Sequence, residues 1–300
     1  MNKLSRALAA VIAFAALASA GGAQVKVERG LHLDADGSIR ISNLVGSVRV
    51  TGWDRDSVSL RGSVPKGDKL FMGGGPRGMK AFIEPMNDRN PQPSTLELMV
   101  PARAKVWVKT ATADIDVTGI SGELDLYVVG GRIRVSGKPT ELNAEAIDGD
   151  IEVNGKPNWL RAKSASGNVT FNGSSGDASI STVSGGITVN SVPAEGGGKF
   201  ERAKIETVTG PIHFNADIEK GAAIDFDTHS GSIDIGIPRR TGADFDVAAI
   251  AGTITNELNY AKVAKGRYGR GSELVMTNAS GGARMTIRSF KGPVTLRPAK

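Results

Sequence analysis

One phrase, a glycine followed two and four positions later by large apolar residues, returns at a fixed step and constrains the fold more than any other feature. It reads Gly131, Ile133, Val135; then Gly149, Ile151, Val153; then Gly167, Val169, Phe171; then Gly185, Ile187, Val189, with anchors 18 residues apart each time. It continues as Gly210, Ile212, Phe214; Gly231, Ile233, Ile235; and Gly252, Ile254, at steps of 25, 21 and 21. The extra residues fall between phrases, in segments such as 192–199 and 236–242. Ala113 takes the anchor's place one step before Gly131, and outlying copies stand at Gly46 (Val48, Val50) and Gly292 (Val294, Leu296). Seven and five positions before the anchors a second apolar pair recurs, as in Leu142/Ala144, Leu160/Ala162, Ala178/Ile180, Ile224/Phe226 and Phe245/Val247. The outlying copies follow the same rule with Ile39/Ile41 and Met285/Ile287.

Alternation with period two makes each half of the repeat a strand with one inward and one outward face. So short a unit cannot bury its inner face alone, but stacked copies place like residues above like and close a common core. The fold class expected is therefore all-β: a single-chain parallel β-solenoid (β-helix) of about ten short coils, mostly 18 to 21 residues each, right-handed because parallel crossovers favour that hand. Composition agrees, since 39 glycines and only 5% aromatic residues suit small inward side chains joined by tight turns. A turn between strands often needs positive φ, which glycine adopts freely, so the anchors are expected to take it. Asn154, Asn172, Asn190 and Asn215 share one position after the second strand and read as a stacked amide ladder. Outward, Asp114, Arg132 and Asp150 form one expected column and Asp116, Arg134 and Glu152 the next, each alternating in sign.

The chain divides into a secretory signal at 1–20 (cleavage possible up to 23), N-terminal strands and a first coil at 24–60, an insertion or cap at 61–100, regular repeats at 101–255, a basic loop at 256–272 and a C-terminal coil at 273–300. Residues 61–95 fit no coil. Lys3 and Arg6 precede an apolar stretch from Ala7 to Ala18 and a small-residue cleavage site, Ala18-Ser19-Ala20. That stretch is shorter than the ~20 residues a bilayer span needs, and no comparable run follows, so no transmembrane segment is expected in the mature chain. Cysteine is absent, which removes disulfides, thiolate metal sites, cysteine nucleophiles and a lipidated cysteine together. Loss of Lys3 and Arg6 lowers the formal charge from +6 to +4. With no basic tract, specific nucleic-acid binding is not expected.

With these residues in place, the chain resembles the widespread family of bacterial envelope adhesin-like proteins designated domain of unknown function 4097. The likeness lies in the segment from Gly46 through Trp53 and Asp54, in serial phrases such as Thr182 to Ile187, and in Ile237-Pro238 followed by Gly242 to Val247. It implies an exported parallel β-solenoid with roles in adhesion or envelope-stress sensing and no established catalytic chemistry. Two departures stand out: Ala113 replaces a glycine, and Lys291-Gly292-Pro293 stands where a Ser-Gly-Asp-like phrase is expected.

A search for chemistry returns little. His32, His213 and His229 lie in different phrases, none at metal-ligand spacing from another, and no Gly-x-Ser-x-Gly elbow is present. The expectation is no catalytic, cofactor-binding or metal-binding residue, and a non-catalytic exported envelope protein that binds or scaffolds. The rivals are a β-helix carbohydrate-active enzyme and an envelope-stress sensing partner. Asp225 and Asp246 are expected side by side in adjacent coils, with Asp227 on the same face and Lys204 one coil earlier, a stack that a hard cation such as Ca²⁺ would relieve. The partner-binding candidates are Tyr260, Lys262, Lys265, Arg267, Tyr268 and Arg270, which interrupt the repeats with a basic, aromatic loop. Charge with flat rings suits anionic envelope polysaccharide, lipopolysaccharide or a membrane surface, or another envelope protein.

Overall fold

The computed structural model describes residues 23–191, 199–266 and 269–299; the expected signal segment, most of the 192–199 insertion, Arg267, Tyr268 and Lys300 lie outside the described residues. The described chain is all-β, with strands assembled into one 13-stranded and one 14-stranded sheet, both mostly parallel. In the regular part the chain alternates between them. Glu141–Ala146 and Trp159–Ser164 are neighbours in the larger sheet, while Ile151–Gly155 and Val169–Gly173 are neighbours in the smaller. Leu142 faces Leu160 and Ile151 faces Val169, so the 18-residue step of the sequence is the hydrogen-bonded register.

Inward residues of both sheets form one continuous core. Phe171, Phe200, Phe214 and Phe226 stack through it with successive centroids 5.7, 5.6 and 5.2 Å apart, in the tilted and edge-on geometries aromatic rings prefer. Three positions before many anchors a buried hydroxyl closes the corner. Thr207 Oγ1 accepts the Gly210 N–H at 3.1 Å, Thr228 Oγ1 that of Gly231 at 2.9 Å, and Ser289 Oγ donates to Gly292 O at 2.7 Å. These bonds satisfy backbone groups that the turn withdraws from the sheets. Two positions before the anchor the side chain points outward instead, so Val129, Ile147, Val183 and Val208 form an exposed apolar column along the corner.

Of the anchor glycines only Gly46 has positive φ, at 111°; the others, from Gly131 to Gly292, do not. What requires them is close approach: a Cβ on Gly149, Gly167, Gly185, Gly210 or Gly231 would collide with the carbonyl oxygen of the preceding anchor. The amide ladder forms over three members, with Asn172 donating to Asn154 at 2.9 Å and Asn190 to Asn172 at 3.0 Å. It stops short of Asn215, which lies between Asn190 and Gly236 and whose buried Oδ1 has no partner among the described residues. Of the two charge columns one behaves as expected. Arg134 lies between Asp116 (3.2 Å) and Glu152 (4.0 Å), whereas Asp114 accepts the backbone N–H of Arg132.

The ends depart from the sequence order. Gly78–Glu84, within the segment that fits no coil by spacing, and Ser94–Pro101, which begins at its end, pair in parallel with Ser38–Asn43 and Gly46–Trp53 and set Met79 on Ile39 and Leu96 on Val48. The spacing rule misses this coil because Ser94, in the anchor column opposite Gly46, follows a long corner after Glu84. Gln24–His32, Ser57–Pro65 and Lys69–Gly75 then run antiparallel over that end, covering edges that would otherwise recruit another strand.

At the other end the last coil is inserted between two earlier ones. Ala283–Ser289 lies between Ile218–Thr228 and Ala243–Ala249, and Val294–Pro298 lies between Ile233–Ile237 and Ile254–Asn256. Asp225 and Asp246 are therefore not neighbours: Thr286 stands between them, and Arg288 takes the Asp246 carboxylate at 2.6 Å. The expected carboxylate stack does not exist, because two strand spacings, about 9.6 Å, separate its members.

Two outcomes follow from this arrangement. Gly167→Val should cost about 3 kcal/mol or more, since rigid backbone cannot yield to the added atoms, while Ser179→Val, on an outward strand position, should stay within about 0.5 kcal/mol of the parent; denaturant midpoints compare them directly. In hydrogen exchange the amides of Ala283–Ser289 should be protected as strongly as those of Leu142 to Ala146, although they lie near the chain terminus. Exchange at the rate of a frayed end would contradict the inserted coil.

Candidate functional site

Side chains free for recognition are those the alternation turns outward. On the 14-stranded sheet, five consecutive strands at the N-terminal end are Lys69–Gly75, Gly78–Glu84, Ser38–Asn43, Lys105–Thr110 and Glu123–Val128. Register builds two outward rows across them. One runs Gly73, Lys80, Arg40, Trp107, Asp125, and the other Phe71, Phe82, Ser42, Lys109, Tyr127. Ser42 is the shortest member beside Phe82 and Lys109, and its size opens a cleft of about 620 Å³ lined also by Lys80, Trp107, Asp125 and Tyr127. That volume lies within the range of about 300–1,000 Å³ usual for small-ligand sites.

The walls are braced. Phe82 stacks on Phe71 with centroids 4.9 Å apart, the Arg40 guanidinium lies 5.3 Å from the Trp107 ring, and Lys109 Nζ lies 5.3 Å from the Tyr127 ring. Elsewhere on this face Lys105, Arg161, Arg202, Lys204 and Arg288 each reach a carboxylate. The Glu123 carboxylate, for instance, holds the Lys105 ammonium above its usual value by hydrogen bond and charge. Among the described residues Arg40, Lys80 and Lys109 have no ion pair, so their charge is available to a ligand. A second depression, on the 13-stranded sheet, gathers Trp53, Arg55, Arg49 and Arg61. There Arg49 is matched by Glu97 and Arg61 by Glu28.

The basic loop lies at the opposite end of the same sheet. Asn256 ties its first turn, its amide donating to Ala261 O at 3.0 Å and its Oδ1 accepting the Leu258 N–H at 3.2 Å, while Leu258 is buried in the core. Tyr260, Lys262, Lys265 and Arg270 are exposed. Lys265 belongs to the short strand Ala264–Lys265, paired antiparallel with Ser272–Asn278. These four candidates stand on one insertion, and Arg267 and Tyr268 lie outside the described residues.

The histidines remain apart: His229 stacks on Phe290 at a corner (centroids 4.9 Å), His213 lies 3.7 Å from Asp234, and His32 contacts Asp56 O at 2.6 Å. Among the described residues no group of three His, Asp or Glu converges as metal ligands. Nor is any helix there long and apolar enough to cross a membrane. Sequence reasoning missed the cleft. Outward aromatics at Trp107 and Tyr127, six and four positions before their anchors, were the available signal, but Lys80 and Phe82 belong to a coil the spacing rule does not find.

The sequence model of the Toastrack family, DUF4097, matches residues 18–297. The chain belongs to that family. Comparison with curated proteins gives no match. Among solved structures, this Toastrack chain is similar to a "putative adhesin" from Bacteroides fragilis at 12% identity, covering 93% of this chain and 100% of that one, with a TM-score of 0.44. A second "putative adhesin", from Parabacteroides distasonis, is 11% identical over 92% of this chain and 97% of its own, with a TM-score of 0.47. A "putative lipid binding protein" from the same species is 13% identical over the same shares, with a TM-score of 0.42.

The turn beneath the basic loop is pinned by Asp244, whose carboxylate accepts the Thr277 hydroxyl at 2.7 Å and the Gly282 N–H at 3.2 Å. Both bonds favour the ionised form and hold Asp244 below its ordinary value of 3.8, the Thr277 bond most strongly. A depressed carboxyl stabilises the fold above its unfolded value and loses that contribution as pH falls through the folded one. Thr277→Val should therefore raise the Asp244 titration midpoint in carboxyl-carbon NMR. In the parent, the amides of 278–282 should exchange faster only once pH drops below the ordinary aspartate range.

Proposed function

We propose that this Toastrack chain is an exported, non-catalytic β-solenoid of about ten coils, wound right-handed, that binds a component of the bacterial cell envelope. The cleft between Phe82 and Tyr127 is the main contact, and the loop 256–272, with Tyr260, Lys262, Lys265, Arg267, Tyr268 and Arg270, is a second. The observation that carries the reading is the composition of the cleft. It joins three cations without carboxylate partners among the described residues to three aromatic rings around a single acid, Asp125. Such a set attracts and orients an anionic ligand. Glycoside hydrolysis, by contrast, usually needs two carboxyl groups about 5–9.5 Å apart, which weighs against the carbohydrate-active enzyme. Lys3, Arg6, the Ala7 to Ala18 stretch and the Ala18-Ser19-Ala20 site support export, and parallel crossovers support the right-handed winding.

The test begins in the native host. N-terminal sequencing of the fractionated protein should recover a chain starting between residues 21 and 24, and intact Met1 in the inner membrane would refute export. The purified mature chain should then bind isolated envelope material more weakly as salt rises, because screening shortens the reach of charge to about 8 Å at 0.15 M. Changing Lys262, Lys265, Arg267 and Arg270 together to Ser should reduce that binding while leaving the β-rich circular dichroism unchanged. A parent that binds no envelope fraction, or that shortens the polysaccharide it is given, contradicts the reading.

A further inference from the structure

We infer that the cleft at the N-terminal end of the 14-stranded sheet is a saccharide site selective for a pyranose carrying a carboxylate or phosphate. This rests on the reading of the chain as a binding protein and adds the ligand class. Three features of the cleft converge on it. Trp107 and Tyr127, both half-buried, present rigid ring surface on adjacent strands, and the C–H face of a sugar ring packs on such a surface at small conformational cost. Arg40, Lys80 and Lys109 edge the same volume without ion-pair partners among the described residues, so an anionic substituent meets positive charge that no protein carboxylate neutralises. Ser42 and Asp125 supply a hydroxyl and an acceptor for sugar hydroxyls inside that volume.

The same residues argue against other anionic ligands. An acyl chain laid in the cleft would press against cations held 5.3 Å from the Trp107 and Tyr127 rings and would desolvate them without compensation. A running polyphosphate would leave the basic patch at once. The next outward positions beyond Asp125 and Tyr127 are Asn143 and Glu145, and Glu145 is occupied by Arg161 at 3.4 Å. Asn143 and Glu145 thus separate the cleft from the next outward cations, Arg161 and Lys163, so the ligand the cleft matches is short, ring-shaped and charged at its edge.

The experiment is calorimetric and fluorimetric titration of the mature chain with tri-galacturonate, with glucosamine 1-phosphate, with the neutral galactose trisaccharide, and with phosphatidylglycerol vesicles. At least one of the first two should bind, at least tenfold tighter than the neutral trisaccharide, with a change in tryptophan emission and weakening above 0.3 M salt. The pair of acidic sugars separates a uronate source from a phosphorylated one. Lys80→Gln with Lys109→Gln, both exposed positions, should lower that affinity at least tenfold without altering the melting temperature. Trp107→Ala should abolish the emission change, and Trp107→Phe, which keeps an aromatic surface, should retain calorimetric binding. Equal affinity for acidic and neutral sugars, full affinity in the double Gln variant, binding confined to vesicles, or no acidic sugar bound at all would each overturn the assignment. If the parent still binds isolated envelope material in that last case, the saccharide site falls and the envelope-binding reading stands.

Discussion

The distance between successive coils is set where backbone meets backbone at the corner. From Gly131 through Gly231 each anchor packs so closely on the carbonyl of the one before that a single added carbon cannot fit. That approach lets the flanking strands keep parallel hydrogen bonds on both sides, and it aligns the inward columns without offset. Everything else is conditional on it. The hydroxyls of Thr207 and Thr228 on the anchor amides and the Asn154-to-Asn190 ladder both need like positions at one repeated spacing.

A fold stabilised this way spends its inward positions on packing and its corners on backbone satisfaction, leaving chemistry to outward rows. Those rows are long and regular. A concave site forms only where the regularity breaks, and here it breaks at the N-terminal end. A coil from outside the even series brings Lys80 and Phe82 beside Arg40, Ser42 and Trp107, and one short side chain among long ones becomes a cleft. The C-terminal end shows the same physics with another result. There the inserted coil separates Asp225 from Asp246 and brings Arg288 to the latter, turning an expected cluster of like charge into an ordinary surface ion pair of modest worth.

What the sequence by itself determined is the face of each residue and the register of each regular pair. Period two assigns Leu142 and Ile151 inward and Arg134 outward, and an 18-residue step aligns each with its equivalent in the next coil. Even the aromatic half of the cleft was partly legible, since Trp107 and Tyr127 stand at outward positions in a chain poor in aromatics. What only the tertiary structure decided is the order in which coils stack. The reason is degeneracy: every coil carries the same apolar columns, so Ile233 packs as well on Val294 as on Ile254, and period and anchor cannot distinguish the two. The choice falls to corner lengths and to the antiparallel strands that close each end, such as Ser272–Asn278 against Ala243–Ala249, which act across tens of residues and leave no local periodic trace. The cleft inherits that indeterminacy, because Lys80 meets Arg40 only when the coil order is known.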